Sequence, residues 1–144
     1  MKREQFEDQN PKLEKWSVSV FKPFIPSLVW LIAITILSGY PGNKIPEAPF
    51  FNFDKLVHVG IYFVLSIAIC FAFFNEKKQP KQQPKIKIWI IFFGIFYGGF
   101  MEILQHYIFI NRSGSWYDFF ANAIGVILGV LFYPFIVKLL PFKR

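Results

Sequence analysis

Four long stretches of this chain carry almost no charge: 24–40, 56–74, 88–110, with Glu102 inside it, and 119–137. A helix rising about 1.5 Å per residue crosses a bilayer core about 30 Å thick in roughly 20 residues, so runs of this length predict transmembrane helices. Composition agrees. Of 144 residues, 54% are hydrophobic, 17% are charged and 20 are phenylalanine. A soluble domain this small has too much surface to hide such a load. The expectation is an all-α membrane protein with four transmembrane helices.

The segments between the runs are short. Pro41 to Asp54 is rich in Pro and Gly, Asn75 to Lys87 is a Lys/Gln/Pro segment, and Asn111 to Tyr117 is a compact turn. The domain reading is therefore a polar arm over 1–22, a transmembrane unit over 23–140 and a basic tail over 141–144. An interfacial helix is expected around Trp16 to Phe21. The first run follows the polar arm and precedes Ser38-Gly39-Tyr40-Pro41, which offers no small-x-small cleavage pattern, so it reads as retained. Cys70 is the lone cysteine and can form no internal disulfide.

A net charge of +7 would, in a soluble protein, suggest nucleic acid as partner. Its distribution argues otherwise. Lys2, Arg3, Lys12, Lys15 and Lys22 lie in the arm, Lys77, Lys78, Lys81, Lys85 and Lys87 in the second loop, and Lys138, Lys143 and Arg144 at the end. Lys44, Lys55 and Arg112 fall on the opposite side of the expected membrane. Basic residues are retained on the cytoplasmic side during insertion, so both termini are expected in the cytosol. The loops lack the interleaved aromatic and basic pattern of a nucleic-acid face, and no nucleic acid is expected as partner.

With that orientation the polar groups near the runs gather in one shallow outer layer. Asp54, Lys55, His58 and Tyr62 open the second helix; Glu102, Gln105 and His106 lie toward the end of the third; Arg112 is in the turn; Asp118 and Asn122 open the fourth. Asp54, His58 and Tyr62 repeat at i, i+4 and i+8, and Glu102 and Gln105 are three apart, so each set shares a helix face. Asp118, Asn122, Gly125 and Gly129 form one stripe, and Gly94 and Gly98 continue the face of Glu102. Small residues at such spacing let helices approach closely in lipid. Each feature also has a plain structural account: glycine packing, Asp118 and Asp54 as favourable charges at helix N-termini, Gln105 and Asn122 as interhelical hydrogen-bonding groups. Glu102 fits that account least well, because an ionisable group within a span is costly unless paired or facing water.

The series Asp54-Lys55-x-x-His58-x-x-x-Tyr62, Glu102-x-x-Gln105, Arg112 and Asp118-x-x-x-Asn122-x-x-Gly125-x-x-x-Gly129 resembles the VanZ-like family of small bacterial membrane proteins, named for a member associated with teicoplanin resistance. The resemblance covers Asp54 to Gly129. Members usually carry a proline near the arginine of the turn, whereas Ile110 and Asn111 precede Arg112 here. It implies the fold, a multi-pass location in the bacterial cytoplasmic membrane and the site, and no particular reaction.

Three mechanisms follow. In an envelope enzyme, an amphiphile or lipid-linked precursor would enter from the bilayer, with His58, Glu102 and Asp118 as catalytic groups. Glu102 or His58 would be the general base and Asp118 would orient His58 or Arg112. Arg112 and Lys55 would clamp a phosphate or carboxylate, and Asp54, Tyr62, Gln105 and Asn122 would complete the binding surface. In a non-catalytic binding or assembly factor, the same cluster would be a buried network holding helix register, and a precursor or glycopeptide would be sequestered. A small transporter is the third, against which stands the lack of polar groups in the inner half. No compact ligand pair on one helix indicates a metal, and no cofactor is expected. The bilayer is the expected environment, with a homo-oligomer compatible with four spans.

Overall fold

The computed structural model describes residues 21–41, 43, 53–74 and 83–139. Residues 1–20 with most of the expected interfacial helix, the loop stretches 44–52 and 75–82, and the tail 141–144 lie outside the described residues. Four α-helices follow in order, with no strand among the described residues: α1 (Ile25–Ser38), entered through a 3₁₀ turn at Lys22–Phe24, α2 (Phe53–Phe73), α3 (Pro84–Tyr107) and α4 (Trp116–Leu139).

The helix ends follow local chemistry. Pro26 sits in the first turn of α1, where its missing N–H costs no hydrogen bond, and Gly39 stops the helix just before Tyr40-Pro41. α3 starts at Pro84 for the same reason. It therefore begins four residues ahead of the apolar run, and it ends at Tyr107 rather than Ile110. Asn111, with φ 55°, then turns the chain; asparagine tolerates this left-handed geometry better than most residues. Ser115 caps α4: its carbonyl accepts from Asp118 N at 3.1 Å and Phe119 N at 3.0 Å, and its Oγ accepts from Tyr117 N at 3.2 Å.

α2, α3 and α4 are long and apolar enough to cross a membrane. α1 is shorter, 14 residues or about 21 Å, bounded by its prolines on one side and Gly39 on the other. Four expected spans are thus met by three full-length helices and one short apolar helix. The outward surface is apolar along all of them: Val29, Ile32 and Ile36 on α1, Val64 on α2, Phe92, Phe96 and Phe100 on α3, and Leu131 and Phe135 on α4 are exposed. Glu102, Gln105, Asp118 and Asn122 are buried instead. Water would favour the reverse arrangement; hydrocarbon around the bundle favours this one.

Close packing is greatest between α2 and α4; their paired residues rise together along both helices, so they run parallel, and those of α3 run the opposite way beside them. Glycine makes this approach possible. A Cβ on Gly125 would strike the Val59 carbonyl, and one on Gly129 would strike Ser66 Oγ and the Phe63 carbonyl. Gly94 and Gly98 of α3 seat Val126 and Asn122 of α4 in the same manner. The predicted stripes are therefore helix contacts. α1 is fastened from outside: Trp30 Nε1 donates to the Ile61 carbonyl at 2.9 Å, and Tyr97 Oη donates to the Leu31 carbonyl at 2.9 Å.

Candidate functional site

The glycine contacts set a register in which α2 and α4 match residue for residue toward one end of the bundle. Above the Gly129 and Gly125 contacts, His58 meets Asn122 and, a turn further on, Lys55 meets Asp118. α3 brings Glu102 to the same level. Helix spacing alone places these groups on faces; the backbone approach at the glycines makes the faces meet.

Glu102 holds the centre. Its Oε1 accepts from Asn122 Nδ2 at 3.0 Å and its Oε2 from the backbone N–H of Ser115 at 3.1 Å. Two N–H donors on two carboxylate oxygens is the pattern an ionised carboxylate accepts. The amide of Asn122 thereby turns its oxygen toward His58, with Nδ1 at 2.9 Å. An amide oxygen can only accept, so His58 Nδ1 is the donor, and in a neutral ring Nε2 carries the lone pair. His58 Nδ1 lies 3.8 Å from Glu102 Oε1, too far for a direct hydrogen bond. Asn122 links the imidazole to the carboxylate.

A second cluster lies beside it. Lys55 Nζ sits between Asp54 and Asp118, 2.7 Å from Asp118 Oδ1, as a close ion pair without hydrogen-bond alignment. The Asp54 side chain is 55% exposed and that of Asp118 11%, so Asp118 is the partner that depends on Lys55. Asp118 does not close the cap of its own helix. In a capping box the acid at the third helical position reaches back to the N–H of the capping serine. Here Glu102 from another helix takes that N–H, and Asp118 turns to Lys55.

The remaining expected residues are more scattered. Arg112 Nε donates to the Ser38 carbonyl at 3.3 Å and ties the turn to the end of α1; it pairs with no carboxylate among the described residues. Gln105 is buried, with no side-chain hydrogen bond to a described residue. Tyr62 is buried, and its hydroxyl has no hydrogen-bond partner among the described residues. His106 is exposed, its ring edge-on to Tyr107. No group of three or more His, Cys, Asp or Glu stands close enough to hold a metal among the described residues.

Glu102, whose side chain is 10% exposed, also borders open space. A cleft of about 350 Å³ opens between α3 and α4, lined by Gly99, Glu102, Ile103, His106, Trp116 and Phe119 among others. Gly114 forms part of its wall, and a Cβ there would run into the Glu102 carbonyl, so glycine lets the turn lie flat on α3 and bring the Ser115 N–H to the carboxylate. Gly114 and the Ser115 backbone are parts of the site that side-chain chemistry does not reveal. Their one trace in the sequence is Ser115-x-x-Asp118, a helix-start pattern.

Residues 4–138 match the family model described as VanZ/LLP1. No curated protein and no solved structure matches the chain.

Proposed function

The chain belongs to the VanZ/LLP1 family, and from that premise we propose that it is a multi-pass protein of the bacterial cytoplasmic membrane whose polar site takes the head of a cell-envelope amphiphile from the bilayer. The observation that carries this reading is the double position of Glu102, which anchors the buried network and also walls the open cleft. Ile103, Trp116 and Phe119 beside it are apolar, as suits a molecule whose tail stays in lipid. In this reading all four helices span, α1 by local thinning of the bilayer, the unit is 23–140, both termini are cytosolic and the site faces outward.

The chemistry available is acid–base. His58 Nε2 is the proton acceptor, oriented through Asn122 by Glu102, and Asp118 with Lys55 and Asp54 sets the field beside it. Tyr62 and Gln105 are buried and Arg112 holds the turn to Ser38, so none of these three expected binding residues lines the cleft. Teicoplanin sensitivity is the cellular readout that the family resemblance suggests.

A second reading is favoured by the pairing of both Glu102 oxygens within the protein: the network fixes helix register, and the protein binds its ligand without reaction. Glu102→Gln and His58→Asn, made separately, divide the two. Normal accumulation in the membrane with loss of the cellular effect, and with altered lipid or peptidoglycan-precursor profiles relative to wild type, supports the enzyme. Loss of effect with unchanged profiles supports binding. Failure to accumulate assigns the residues to structure and overturns a functional role for them.

A further inference from the structure

The charges around the cleft are unequal. Asp54, Asp118 and Glu102 contribute three carboxylates to the polar end of the bundle, and Lys55 is committed to the first two. The Arg112 guanidinium is turned to the Ser38 carbonyl. Glu102 receives neutral N–H donors from Asn122 and Ser115, and no lysine or arginine lines its cleft among the described residues. The His58 ring, 3.8 Å away, is the nearest basic group, and with that ring neutral the carboxylate at membrane depth is an unbalanced charge. Around the opening stand the rings of Tyr107, Trp116 and Phe119, with Tyr107 and Trp116 each 78% exposed. Aromatic faces attract cations and repel anions.

We infer that the cleft selects an amphiphile whose head carries an ammonium group, which pairs with Glu102 and lies against the aromatic rim. This rests on the reading of the cleft as an amphiphile site, and it replaces the phosphate clamp expected of Lys55 and Arg112 with the opposite charge preference. A phosphate in this cleft would meet a carboxylate and, among the described residues, no lysine or arginine, with the His106 ring as the basic group on the wall. An ammonium supplies the missing charge, and its N–H groups reach lone pairs on Glu102 that Asn122 and Ser115 leave open.

The test uses the full chain in a neutral maltoside detergent, titrated with short-chain phosphatidylethanolamine, its N-acetyl derivative and short-chain phosphatidylglycerol, and followed by tryptophan fluorescence. The expected result is saturable binding of the ethanolamine lipid, about tenfold or more tighter than either of the others. Glu102→Gln should lower that affinity toward the level of the N-acetyl lipid, with helix content by circular dichroism unchanged. The three-lipid comparison in wild-type protein stands even where that variant fails to fold. Equal binding of all three lipids, or tighter binding of phosphatidylglycerol, overturns the ammonium preference and leaves the amphiphile site standing. Absence of saturable binding by any of them overturns both.

Discussion

His58 and Glu102 belong to different helices and do not touch: Nδ1 and Oε1 are 3.8 Å apart, and the side chain of Asn122 on a third helix bonds both. One amide thereby joins α2, α3 and α4 and sets which nitrogen of the imidazole is protonated. Nitrogen NMR of ring-labelled protein should show His58 as the Nδ1–H form. Asn122→Leu should release that preference and lower the unfolding free energy in detergent, by about 1 kcal/mol for each lost interhelical bond. An unchanged His58 signal in that variant would refute the link.

The register of this link depends on glycine. Gly129→Ala would put a methyl group into Ser66 Oγ and the Phe63 carbonyl, whereas Gly60→Ala meets nothing within 4 Å. The first should lower thermal stability and disturb the His58 signal. The second should leave stability unchanged or raise it by up to about 1 kcal/mol, since alanine favours the helix. Equal behaviour of the two variants would show that the α2–α4 approach does not set the site.

Lys55 serves two carboxylates unequally. Asp54→Asn removes an exposed partner and should cost within about 1 kcal/mol, as surface pairs do. Lys55→Met leaves Asp118 buried without its cation and should cost more, about 3 kcal/mol. The double variant Lys55→Met/Asp118→Leu should recover much of that loss, and a double-mutant cycle on unfolding midpoints measures it.

Ser115 acts through two different groups. Ser115→Ala removes the cap on α4 and should cost about 1 kcal/mol while keeping the N–H to Glu102. Ser115→Pro also removes that N–H and should abolish the cellular effect if Glu102 must be held in place. Teicoplanin sensitivity and membrane accumulation, measured together for both variants, separate the cap from the carboxylate contact.

Much of this protein follows from patterns along one chain. Charge-free runs near the length of a bilayer specify the helices, and prolines and glycine specify where α1 and α3 begin and where α1 stops, because helix length and capping are local. The i, i+4, i+8 series from Asp54 through His58 to Tyr62, and the stripe from Asp118 to Gly129, are likewise visible, since each reports the face of a single helix.

Partnership across helices is not local. Which group meets which depends on how far α4 slides along α2, and that offset is decided where Gly125 and Gly129 rest on the backbone of Val59 and Phe63. The offset makes Asn122 the bridge and gives Asp118 to Lys55. The Ser115 N–H on Glu102 was hidden for a further reason: a backbone donor has no residue type to announce it. Single-helix patterns specify the helices and the set of polar residues, while the wiring among those residues waits on tertiary packing, because hydrogen bonds and ion pairs are short-ranged and a shift of one residue along α2 would part His58 from Asn122 and Lys55 from Asp118.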